Sequence, residues 1–126
     1  MSQYENNAYF WQKVDSLILS GDIEIEYHKG DCHKDLHHVI YPVDYGYLKM
    51  IKDNGHIIKC YKGTNGNECK AAIVSANLLL KDVSVKLLIG TTEEEERNIQ
   101  TFLNEMEFQK TVLIRRDNTI PDWLMD

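Results

Sequence analysis

Ile40 to Leu48, IYPVDYGYL, brings three tyrosines, a proline, an aspartate and a glycine into one short stretch. Phenol hydroxyls donate hydrogen bonds to oxyanions, so a row of them is an anion-binding surface. Tyr41, Tyr45 and Tyr47 fall at even spacing and share one face if the segment is extended, with Asp44 on the other. Lys29, Lys34, Lys49, Lys59, Lys62 and Lys86 fall in or beside the expected strands and this tyrosine segment. If three of them converge with Tyr41 and Tyr45, the result is a positive pocket suited to a phosphate or diphosphate group. The competing reading is an aromatic corner of a β core with solvated lysines at strand ends.

The stretch His28 to His38, HKGDCHKDLHH, adds four histidines and two lysines. His33 and His37 have the i, i+4 spacing that holds zinc from a helix, but Gly30 and the mixed charge oppose a helix and no second ligand pair stands elsewhere. A solvated loop is expected, with one or two imidazoles, His33 among them, facing an anionic ligand or exchanging protons near neutral pH.

The elements that must position these groups follow from periodicity. Asn6 or Asn7 caps a helix with Phe10, Val14, Leu17 and Ile18 on its apolar face and Gly21 at its end. IEIEY, Ile23 to Tyr27, alternates and reads as a strand with Glu24 and Glu26 on one face. Pro42 interrupts regular pairing, and Gly46 permits a turn or a close approach. Asp53-Asn54-Gly55 signals a turn, Ile57 to Lys62 a strand, and TNGN at Thr64 to Asn67 a hairpin into a strand from Cys69 to Ala76. Val83 to Ile89 is a further strand, stopped by Gly90. Thr92 and Glu95 form a capping box for a helix burying Ile99, Phe102, Leu103 and Met106, and Thr111 to Ile114 is a last strand. Short strands in mainly hairpin order, with a helix near each end, predict a mainly β fold, a small barrel with flanking helices.

The chain of 126 residues fits a single domain, 1–126, with a helix in 1–21 and a docking tail in 117–126. Hydrophobic content of 43% and charged content of 27% exclude a disordered or fibrous class. The net charge of −6 argues against a general nucleic-acid surface and leaves room for a small anion. Cys32, Cys60 and Cys69 are odd in number and lack CxxC spacing, which reads as reduced thiols of a cytoplasmic protein. MSQYENNAYF is not a signal peptide, and the apolar run from Ala71 to Ile89 is broken by Lys81, Asp82 and Lys86, so no membrane span is expected. Trp123 and Leu124 in the tail are apolar residues in polar company, which points to docking on the domain or on a neighbouring subunit, a homo-oligomer in the latter case.

IYPVDYGYL, set behind IEIEYHKG, resembles the soluble (family I) inorganic pyrophosphatases, in which a strand of type EIPKG precedes YPxDYG. The later LLKDVSVKLLIGTTEEEERNIQTFLNE is similar to the strand and helix that follow, especially in a compact bacterial branch, so the resemblance runs from Ile23 to Ile114. It implies an OB-like β barrel and a Mg²⁺-dependent attack of water on diphosphate. It also implies that Tyr41 and Tyr45 are active-site tyrosines, with Tyr45 holding a phosphate or the site's hydrogen-bond network. Glu26 matches the acidic residue of the first strand, Lys34 the phosphate-binding lysine after it, and Lys86 the lysine that follows a later metal-binding aspartate.

The departures from that pattern lie in the acids. Where the family carries a DGDPxD triad, this chain has DNGHIIKCYKG, so Asp53 alone survives and Lys59 stands in place of the last aspartate. The later aspartate falls near Ser84, with Asp82 as a substitute. A Mg²⁺ cluster needs several hard oxygen donors, and replacing acids by a cation reverses the charge of the site. The expectation is a domain that binds a nucleotide or diphosphate through Lys29, Lys34, Lys59, Lys86, His33, Tyr41 and Tyr45 with weak or no hydrolysis. The alternative is a hydrolase of diphosphate or a nucleotide phosphoanhydride, with Asp53 and Asp82 as catalytic acids, Glu26 and Asp53 as Mg²⁺ ligands and Asp44 added to the set, or with histidine and lysine acting without metal; a third reading is a structural or interaction module whose tyrosines are core.

Overall fold

The computed structural model describes residues 6–50, 57–105 and 109–117. Asp53 and its turn, Met106, and Trp123 and Leu124 lie outside the described residues.

The side chain of Asn7 accepts the amides of Tyr9 and Phe10 and starts helix α1, Ala8–Leu19. Ser20 ends it, and Gly21, expected as the stop, is the first residue of β1, Gly21–Tyr27. The face that α1 buries is Trp11, Val14 and, in part, Ile18, while Phe10 and Leu17 stay 47% and 39% exposed. Polar contacts set this rotation. The Trp11 indole donates to Asn6 Oδ1 at 2.6 Å, and the Arg116 guanidinium lies 5.8 Å over the Trp11 ring while it pairs with both oxygens of Asp15, at 2.9 and 2.8 Å.

The remaining elements are β2 (Asp44–Met50), β3 (Ile58–Lys62), β4 (Cys69–Asn77), β5 (Asp82–Ile89), α2 (Glu93–Asn104) and β6 (Gln109–Arg115). The strands make one sheet in the order β1-β2-β3-β5-β4-β6, antiparallel except for the parallel pair β3 and β5. Among the described residues the fold is therefore mainly β with two helices, and β1 and β6 are the edges of a sheet that does not close. One face packs Tyr61, Ile73 and Leu88 against Ile99, Phe102 and Leu103 of α2 and against Val39, Tyr41 and Val43 of the loop between β1 and β2. The other packs Leu48, Cys60, Ala72, Leu87 and Ile89 against Trp11 and Val14 of α1. None of the described helices is long and apolar enough to cross a membrane.

TNGN is a turn but not a hairpin, because β5 stands between β3 and β4. The loop instead wraps the end of β5. Gly63 N donates to Ile89 O at 2.9 Å, Asn65 N to Gly90 O at 2.8 Å, and Gly90 N to Glu68 O at 2.7 Å. Lys62 Nζ, bonded to Gly63 O at 2.9 Å and Gly66 O at 2.7 Å, fills the bend. Thr92 and Glu95 form the expected capping box, and Glu95 also accepts from the amide and hydroxyl of Thr64, tying this loop to α2.

Gly46 marks a close approach rather than a turn. A Cβ there would lie 1.8 Å from Glu24 O, at the point where β1 bulges between Ile25 and Tyr27. Gly46→Ala is expected to cost about 3 kcal/mol or more in urea unfolding, since neither strand can yield. Gly30→Ala, at φ 94° with nothing within 4 Å, is expected to cost about 1–2 kcal/mol from backbone strain alone. Equal losses would show that the two strands are not held at the spacing described.

Candidate functional site

The bulge in β1 gathers the aromatic residues. Ile25 pairs with Gly46 and Tyr27 with Tyr45, leaving Glu26 as the extra residue, so Tyr27 is turned to the α2 side of the sheet. Its ring stacks on Tyr41 at 4.8 Å and 9°. Tyr41 in turn lies 5.8 Å from Tyr45, 4.7 Å from Phe102 and 6.2 Å from His33, and Tyr45 lies 4.7 Å from Tyr61. Beside this cluster opens a cleft of about 570 Å³, lined by His33, Asp35, Tyr41, Tyr45, Tyr61 and Lys86 on its polar side and by Leu36, Leu79, Leu80, Phe102 and Leu103 on its apolar side.

The hydroxyls of Tyr41, Tyr45 and Tyr61 have no hydrogen-bond partner among the described residues. Tyr45 is half-buried and Tyr41 buried, while Tyr61 is almost closed off at 1% exposure. The only fully buried side-chain oxygen of the described residues without a hydrogen bond is Glu96 Oε1, which Arg115 faces as an ion pair at 2.6 Å. Burial, then the neighbouring Tyr27, pushes the Tyr41 phenol up to about 12. Tyr45 and Tyr61 are raised for the same first reason. All three are neutral donors at physiological pH. Tyr47, alternating onto the same side of β2 as Tyr45, is engaged elsewhere: its hydroxyl donates to Glu24 Oε2 at 2.7 Å.

Lys86 supplies positive charge inside the cleft. Its ammonium donates to Ser84 Oγ at 3.1 Å, and no carboxylate of the described residues pairs with it. Burial lowers its pKa, Asp82 counters this, and Lys59 adds to it, so the ammonium is held at a cost that a bound anion would offset. Lys59 sits at the rim, 5.8 Å from the Tyr45 ring centroid and 5.6 Å from that of Tyr47, and pairs with Glu26 Oε1 at 3.1 Å. His33 Nδ1 accepts the amides of Asp35 and Leu36 at 3.1 and 3.3 Å, so its Nε2 carries the proton of the neutral ring.

Of the residues singled out from the sequence, the cleft thus unites Tyr41, Tyr45, Lys86 and His33, with Lys59 and Glu26 beside it. Lys29 lines a separate hollow with Pro42, Thr92 and Glu94, and its amide donates to Asp44 Oδ1 at 2.9 Å. Lys34 is exposed and outside the cleft lining. His37 and His38 are exposed in the loop, whose backbone doubles back through the Cys32 to Ile40 bridge without forming a helix. Tyr27, Tyr61 and Phe102 join the site without having been singled out for it. Tyr27 ends an alternating strand and could have been found only through the bulge; Phe102 has the signature of a core residue and serves both ends.

Among the described residues, Glu26, Asp44 and Asp82 do not come together. Glu26 is tied to Lys59, Asp44 to the Lys29 amide, and Asp82 lines a third hollow with Lys81 and Lys110. No group of three histidines, cysteines or acids capable of holding a metal occurs among the described residues, and Asp53 lies outside them. Comparison of the chain with protein-family models, with curated proteins and with solved structures yields no match.

The strain at Lys86 has a measurable sign. Because its folded pKa lies below the value of 10.5 it regains on unfolding, the native state releases its proton first as pH rises. Between those two values the unfolded chain holds more protons, so Lys86 makes stability rise with pH there. Lys86→Met is therefore expected to be more stable than the parent at pH 7 in denaturant unfolding, with the difference shrinking as pH approaches 10.5. A less stable variant at pH 7 would mean that the ammonium is satisfied.

Proposed function

We propose that the chain binds a phosphate-bearing anion, a nucleotide or another diphosphate, in the tyrosine cleft, with weak or no hydrolysis. What carries this reading is a half-buried ammonium with no carboxylate at ion-pair distance, Lys86, beside phenol donors without a partner among the described residues in the same cleft. A phosphate oxygen accepts from Lys86 Nζ, from Tyr45 and from His33 Nε2, completing bonds that the free protein leaves open. On this reading the open sheet is a variant of the small OB-like barrel of the inorganic pyrophosphatases, which YPVDYG resembles. The site has changed sign: Lys59 neutralises Glu26, so charge that acids and Mg²⁺ would supply together comes from lysines. With Glu26 tied to Lys59, one of the acids that would anchor a metal-bound water is engaged, which favours holding the ligand over hydrolysing it.

Titration calorimetry with inorganic diphosphate tests the assignment. Lys86→Met is expected to weaken binding by about 10-fold to 100-fold, the worth of a hydrogen bond to a charged group. Tyr45→Phe is expected to weaken it by about threefold to tenfold. Tyr47→Phe, whose hydroxyl serves Glu24, leaves it unchanged. Equal effects at Tyr45 and Tyr47 would contradict the assignment. Phosphate release with Mg²⁺ is expected below about 1 per second, and turnover in the range of about 1–1,000 per second would make the chain a working hydrolase.

A further inference from the structure

Leu78, Leu79 and Leu80 form the tip of the β4–β5 hairpin and are 75%, 68% and 68% exposed. Hairpin tips are ordinarily polar, and consecutive exposed apolar residues are unfavourable unless something covers them. This tip has a defined turn: Asn77 Oδ1 accepts the Leu80 amide at 2.9 Å, and Lys81 takes φ 55°. Leu79 and Leu80 also line the tyrosine cleft, together with Leu36, Lys86 and Tyr45.

A volume of about 570 Å³ is in the range of pockets for organic ligands and exceeds what inorganic diphosphate fills. The aromatic rings do not wait for a flat partner. Tyr41 already stacks with Tyr27 and His33, each within 9° of parallel, and Phe102 lies 4.7 Å away. A nucleotide base would find these rings paired with one another, whereas an aliphatic group finds exposed leucine side chains.

We infer that the ligand is a phosphate or diphosphate ester of an aliphatic alcohol, its anionic head on Lys86 and Tyr45 and its hydrocarbon along Leu36, Leu79 and Leu80. The inference rests on the phosphate-binding reading of the cleft and adds the chemistry of the rest of the molecule. The charge of the site meets the head, and the uncovered leucines meet the tail.

Titration calorimetry on the full chain compares geranyl diphosphate, kept below micelle formation, with inorganic diphosphate, ADP and geraniol. Geranyl diphosphate is expected to bind at least about tenfold more tightly than inorganic diphosphate or ADP, and geraniol more weakly than its diphosphate. The double substitution L79S/L80S, at exposed positions, is expected to bring geranyl and inorganic diphosphate within about threefold of each other. Equal affinities for those two in the parent chain, or tighter binding of ADP, would overturn the aliphatic ligand and leave phosphate binding standing. Geraniol binding as tightly as its diphosphate would overturn the role of the head group. Failure of all four compounds to bind would overturn both readings.

Discussion

The carbonyl of Glu24 lies where a side chain on Gly46 would begin, and the arrangement of the site follows from that contact. It lets β1 approach β2 closely enough to absorb an extra residue, Glu26, without losing the pairing on either side. The bulge brings Tyr27 and Glu26 to one side of the sheet, where strict alternation would separate them. Tyr27 then meets Tyr41, and Glu26 meets Lys59. A larger residue at position 46 would part the strands and dissolve the aromatic cluster with them.

The second constraint is electrostatic. In an acidic chain of net charge −6, Glu26 beside the cleft is paired, Asp35 lines the cleft, and the Lys86 ammonium has no carboxylate at ion-pair distance among the described residues. Glu26 answers Lys59, Glu24 answers Tyr47 and Lys49, and the buried Glu96 answers Arg115 and Thr91. Surface pairs such as the first two contribute little to stability. Their effect here is on position: Lys59 is held against the rings of Tyr45 and Tyr47, while Lys86 and the phenols of Tyr41 and Tyr45 line the cleft without a carboxylate partner among the described residues.

Local chemistry made much of the fold legible. Asn7, the Thr92–Glu95 capping box, Pro42 before β2 and the alternation of IEIEY each report a boundary or a face through a contact within a few residues. Pairing between distant strands was not legible. TNGN has the composition of a hairpin, and only the contacts of Gly63, Asn65 and Gly90 around the end of β5 reveal that β3 pairs in parallel with β5. The site divides in the same way. Tyr41, Tyr45 and Lys86 were visible from residue type and motif, whereas the bulge at Glu26 and the leucine tip depend on how β1 and the β4–β5 hairpin meet the cleft. Lys29 and Lys34 show the limit of charge counting, since both belong to the basic set and neither lines the cleft.

The reading of the cleft turns on whether its Lys86 ammonium and its phenols receive a phosphate group. A crystal structure of the chain grown with inorganic diphosphate tests it most directly. Phosphate oxygens are expected within hydrogen-bonding distance of Lys86 Nζ and the Tyr45 hydroxyl. Diphosphate bound instead at Lys29 or Lys34, with Lys86 untouched, would contradict it.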